Sequence, residues 1–207
     1  MHRPSPTDDA LLRAWGEGDK HAAAQLIDRY FDEVHGFFAS KVPDEAEDLT
    51  QQTFLGCVER RAQLEAIRTF RGFLFTVARH RLIDHFRRKG SAPRFDATIT
   101  SLADLGTSPS RAVARDREQR VVLEALRRIP LDSQLVLELY YWQSLTGPEL
   151  AEVLEVPEGT ARSRVRIAKR QLTEEIERVN EAALSLHDTL TKLADWRPGA
   201  KEASETN

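Results

Sequence analysis

The residues best suited to chemistry in this 207-residue chain lie close together between 159 and 170. At about 100° per residue, Gly159, Ser163, Arg166 and Arg170 share one side of a helix, flanked by Thr160, Arg162 and Lys169. Guanidinium groups in a row hold phosphates or guanine edges, and a serine hydroxyl serves either role. A basic face that is merely solvated has the same appearance, so the spacing alone leaves both readings open. A second group, His80, Asp84 and His85, has the H-x₃-D-H form of a ligand set. His80 and Asp84 are helical neighbours, but His85 points away and no further ligand cluster follows, which argues against a metal. Cys57 stands alone among apolar residues, as a packed thiol does, and its solitude suits a reducing cytoplasm. There is no phosphate-cradling glycine loop, no G-x-S-x-G and no metalloprotease motif, so neither an enzyme nor a cofactor is implied.

The arginine row needs a scaffold, and the preceding residues supply one. Thr146 and Glu149 fit an S/T-x-x-E capping box, with Pro148 in the first turn where its missing N–H costs little. The short helix they open ends near Leu154, and a tight connection, "EVP", leads into a longer helix from about Pro157 or Glu158. Ala161, Val165, Ala168 and Leu172 form the apolar stripe of that second helix, opposite its arginines. A short helix, a tight turn and a helix with a basic outer face describe a helix-turn-helix.

Charge is distributed unevenly. The whole chain carries −3, yet residues 60–94 hold 10 Lys/Arg against 2 Asp/Glu, and residues 158–172 hold 5 against 1. Two basic islands in an acidic chain suggest a polyanion touched at two places. No stretch is long and apolar enough for a membrane span, and the N-terminus lacks the apolar core of a secretion signal, so neither membrane insertion nor export is expected.

The first island contains "FRGFLFTVARHRLIDHFRRK", Phe70–Lys89, apolar at its start and basic at its end. Helices are expected from an Asp19 N-cap to about Ser40, from Pro43 to about Arg61, over Phe70–Lys89, from about Ser110 to Ile129 and from Asp132 to Gln143. Phe31 is counted with the apolar stripe of the first of these. Residues 90–110, rich in Gly, Pro, Ser and Thr, form a linker. The fold class is therefore all-α, with two small helical domains (1–89 and 111–172), a flexible linker (90–110) and a C-terminal helical extension (173–207).

"DLTQQTFLGCVERR", "FRGFLFTVARHRLIDHFRRK" and "LRRIPLDSQLVLELYYWQSLTGPELAEVLEVPEGTARSRVRIAKRQL" occur in order and at the right separations. Together they resemble the extracytoplasmic-function sigma factors of the sigma-70 family, over about Ala10 to Leu172. The resemblance implies that residues 1–89 are sigma region 2, which binds core RNA polymerase and opens the promoter −10 element. It implies that 111–172 are region 4, which reads the −35 element as duplex. Asp48, Gln51, Gln52 and Leu55 would meet polymerase. Arg71, Thr76, Arg79, His80, Ile83, Arg87 and Arg88 would meet −10 DNA, and the residues from Gly159 to Arg170 named above would meet the −35 element.

The wheel agrees in part on its own terms. Thr76, Arg79, His80 and Arg87 share a face with Ile83, and a polar face beside an apolar bed can accept unstacked bases. Three positions depart from the family pattern: His80 where Asn is frequent, Gln52 where Glu is frequent, and Glu155 where the turn usually has Gly. If that turn needs positive φ, Glu155 is mildly strained. An anti-sigma factor or the chain's own extension is the expected regulator. The helical spacing of Ile176, Val179, Ala183, Leu186 and Leu190 fits a regulatory helix and equally a cap on the second domain. A dimeric operator-binding regulator would leave the first basic island without a use, and a pure protein adaptor would leave Arg162, Arg166 and Arg170 without one.

Overall fold

The computed structural model describes residues 6–60, 67–89, 97, 101 and 117–179. Among these residues every regular element is helical, apart from an isolated bridge between Ser101 and Pro130. Helix α1, Asp8–Glu17, was not expected from the sequence. It starts where the Thr7 hydroxyl accepts from the N–H of Ala10, and it stops at Gly18, whose φ of 113° few other residues tolerate. Leu11, Leu12 and Trp15 bury its inner face.

Helix α2, Lys20–Ala39, begins as anticipated at Asp19, whose carboxylate accepts from the N–H groups of His21 (2.8 Å) and Ala22 (3.3 Å). A single 3₁₀ turn, Pro43–Glu45, leads into α3, Ala46–Glu59, with Glu47 and Asp48 in its first turn where the helix dipole favours acids. Helix α4 spans Phe70–Lys89. Phe37, Phe38, Phe75, Leu26, Leu74 and Leu82 are fully buried where these helices meet. The rings of Trp15 and Tyr30 meet Phe70 edge to face at 5.8 and 5.6 Å.

The second half comprises α5 (Arg117–Arg128), α6 (Leu131–Tyr141), α7 (Gly147–Leu154) and α8 (Glu158–Val179). The expected start of α5 near Ser110 lies outside the described residues. The expected end of the second domain at Leu172 falls inside continuous helix, because Ile176 extends the buried stripe by another turn. The rest of the predicted extension, 180–207, lies outside the described residues.

The two halves do not stand apart. One contiguous set of buried apolar residues runs through both, and α4 lies against α7. Of the linker, Ala97 and Ser101 are described. The carbonyl of Ala97 accepts from the N–H of Asp132 at 3.0 Å, and Ser101 is buried against Pro130, so both touch the second half.

Candidate nucleic-acid interface

The helix-turn-helix forms locally as its sequence dictates. The Thr146 hydroxyl accepts from the Glu149 N–H, while the Glu149 carboxylate accepts from the Thr146 N–H at 2.9 Å, closing the capping box. Burial by itself would raise the Glu149 pKa. Hydrogen bonds from Thr146, joined by Thr69, outweigh that and hold its carboxyl below the usual glutamate range. Glu155 then turns the chain at φ 54°, the left-handed conformation for which glycine is the usual choice. Ala161, Val165, Ala168 and Leu172 are all buried, which fixes the outward direction of α8.

On that outward side Gly159, Thr160, Arg162, Ser163, Arg166 and Arg170 are exposed. Arg162 pairs with Glu158 and Arg170 approaches Glu174 at 3.8 Å, both ties along one helix that a polyanion can displace. The Ser163 hydroxyl donates back to the Gly159 carbonyl at 3.0 Å. Lys169 departs from the expected row. Its ammonium lies 5.2 Å from the Tyr140 ring and 5.1 Å from Tyr141, half-buried on α6, because a cation over two aromatic faces is favoured.

Helix α4 is buried along most of its length, leaving a narrow polar strip. Thr76 is half-buried and donates to the Gly72 carbonyl at 2.8 Å. Arg79 is only 12% exposed and reaches Asp132 of α6 at 3.2 Å. His80 meets Glu155 at 3.0 Å. Arg87, 64% exposed, and Arg88 complete the strip at its open end. Two expected members do not join it. Arg71 pairs with Glu33 at 2.9 Å and lies over the Tyr30 ring, tying α4 to α2 on another side. Ile83 is 7% exposed, since an aliphatic side chain among packed helices gains more from burial than from the surface. His85, the third member of the H-x₃-D-H group, is buried edge-on against Phe86, and its pKa is lowered, burial being the main cause. Among the described residues no group of three ligating side chains comes together.

The expected polymerase-facing residues sit on the outer side of α3. Asp48 accepts from Gln52 at 2.7 Å, Gln51 is exposed, and Leu55 is 57% exposed. Val58 and Phe31 are exposed beside the same helices, with Phe31 stacked on Phe54 at 6.3 Å. Sequence reading missed both. Val58 follows Leu55 by three residues, and that spacing was the available signal; Phe31 had been counted as core. Cys57, on the same helix, is fully buried, and burial pushes its thiol up to about 12.

With two basic helices placed, one in each half, the comparisons decide the family. Residues 26–92 match Sigma-70 region 2 and residues 119–172 match Sigma-70, region 4. The ECF RNA polymerase sigma factor SigK of Mycobacterium ulcerans is 30% identical over 178 residues, covering 82% of this chain and 94% of that protein. The chain belongs to the extracytoplasmic-function sigma factors of the sigma-70 family. The ECF RNA polymerase sigma factor BldN of Streptomyces coelicolor is 31% identical over 181 residues, covering 82% of this chain and 68% of that one. The solved structure of CnrH in complex with the cytosolic domain of CnrY shares the fold, with a TM-score of 0.59 at 21% identity, over 82% of this chain and 97% of CnrH. As a sigma factor the chain binds core RNA polymerase and directs promoter-specific initiation of transcription.

Proposed function

We propose that this sigma factor divides promoter recognition between its two basic helices. Helix α8 enters the major groove of the −35 element with Arg162, Ser163, Arg166 and Arg170. Helix α4 takes the separated −10 strand along Thr76, Arg79, His80, Arg87 and Arg88. Residues 1–89 then form the opening module and 111–172 the duplex-reading module, with 90–110 between them. The observation that carries this reading is the exposed arginine row of α8, set directly opposite a fully buried stripe. A helix so oriented presents cations to a groove without disturbing its own core.

Leu55, Asp48, Gln51 and Gln52, with Phe31 and Val58 beside them, would form the polymerase-docking face. An exposed apolar patch with a polar border is suited to a protein partner. The chain performs no chemistry of its own, and it works in the cytoplasm with polymerase. CnrH was solved bound to the cytosolic domain of another protein, which supports a masking partner of comparable kind here. The C-terminal extension, residues 173–207, is the alternative source of such masking.

The test is to add the purified full chain to core RNA polymerase and genomic template, then map transcript 5′ ends. Starts at a shared upstream sequence pair are expected. A specific footprint from the chain alone, with no stimulated transcript, would overturn the reading in favour of an operator-binding regulator.

A further inference from the structure

One side chain in the outward row of α8 is neither charged nor polar. Ile167 is 40% exposed, whereas Val165, Leu172 and Ile176 of the same helix are buried. It lies one turn after Ser163 and one turn before Arg170, so it points away from the buried stripe, among the groups assigned to the −35 groove. It belongs neither to the contiguous apolar core nor to the half-buried residues packed against that core. Packing inside the chain therefore does not account for it. Nor does helix formation, since straight-chain residues are better helix formers than isoleucine at a solvated position.

The surroundings indicate its partner. Exposed Arg162, Arg166 and Arg170 make the row cationic, which suits a polyanion better than an apolar protein patch. In the major groove of a duplex, an aliphatic side chain finds one kind of apolar group, the C5 methyl of thymine, because the other base edges there are polar donors and acceptors. We propose that Ile167 is a specificity-determining residue that packs on the methyl group of one thymine in the −35 element. The proposal rests on the assignment of α8 to the major groove. Successive turns of the helix rise about 5 Å and base pairs stack about 3.4 Å apart, so that thymine lies within one or two base pairs of the group met by Arg170. The arginines supply attraction to phosphates and polar edges, and Ile167 adds discrimination with little attraction of its own. One methyl group taken out of water corresponds to about a fourfold change in binding.

The experiment uses holoenzyme assembled from the full chain and core RNA polymerase, with a fluorescent duplex carrying the −35 element of a mapped promoter. Each thymine on either strand is replaced in turn by uracil, which removes the methyl group and keeps every hydrogen-bonding group and charge. One replacement should weaken binding about fourfold. Ile167→Ala should bind the thymine duplex about fourfold more weakly and no longer distinguish uracil at that position, with an unchanged unfolding midpoint. Ile167→Val should keep part of the distinction. Tolerance of uracil at every position, or a uracil effect that survives in Ile167→Ala, would overturn the proposal. So would an Ile167→Ala chain that binds DNA normally but assembles poorly with polymerase, which would assign Ile167 to a protein contact. Arg166→Ala separates the two layers. If it leaves duplex affinity unchanged, the assignment of α8 has failed; if it weakens binding while uracil is tolerated throughout, the thymine contact alone has failed.

Discussion

Helices α4 and α8 are both basic and both about six turns long, and both are proposed to meet DNA, yet they are built on opposite plans. Helix α8 buries one stripe and leaves its arginines in solvent, tied only to acids one turn away along the same helix. Helix α4 buries most of its surface, and two of its polar side chains, Arg79 and His80, are held by acids from the other half of the molecule. Duplex DNA presents a finished groove, and an exposed ridge suffices to read it. A strand being unpaired needs a firm bed, because unstacking bases costs a few kcal/mol that contacts must offset. Rigidity therefore goes with α4 and accessibility with α8.

The sharpest way to break this contrast is in the core of α4. Leu82 is fully buried, so Leu82→Ala should cost about 2–5 kcal/mol of stability, read from the midpoint of denaturant unfolding. A loss below about 1 kcal/mol would mean that α4 is no rigid bed. Next comes the exposed ridge. Arg166→Ala should weaken −35 duplex binding by about 1–3 kcal/mol with an unchanged unfolding midpoint, measured by fluorescence anisotropy. Loss of stability instead would assign Arg166 to packing. The capping box that fixes the approach to α8 is a smaller lever: Thr146→Ala should cost about 0.5–2 kcal/mol, checked by thermal unfolding. The smallest effect is expected at Lys169. Held over two tyrosine rings, it should contribute no more than about 1 kcal/mol, chiefly to stability, and Lys169→Ala should barely change duplex affinity. A large affinity loss would return it to the DNA-reading row.

What could be read from the sequence follows from the range of the forces involved. The α8 stripe, the Thr146–Glu149 cap and the Asp19 cap are local, each set within a few turns of one helix, and were legible, whereas the positive φ at Glu155 was raised only as a condition, by comparison with the family's usual glycine. The first helix was legible in principle: Thr7 and its following acids mark a start, and Leu11, Leu12 and Trp15 keep helical spacing. The contacts between the two halves were not legible. Nothing near Lys41 points to Glu138, and nothing in Arg79 points to Asp132, since charge pairs across 97 or 53 residues have no periodicity to betray them. For the same reason the wheel placed Ile83 on a DNA-facing side: it gives direction but does not show which neighbour fills that direction.

The most direct test of the division of labour is permanganate reactivity of unpaired thymines at a mapped promoter, with saturating holoenzyme carrying Arg79→Ala or Arg166→Ala. The account predicts that Arg79→Ala keeps the −35 footprint while thymine reactivity near −10 falls at least tenfold. Arg166→Ala should recover near-normal opening once enough holoenzyme is supplied. Full opening by Arg79→Ala, or an opening defect in Arg166→Ala that saturation does not repair, would contradict it.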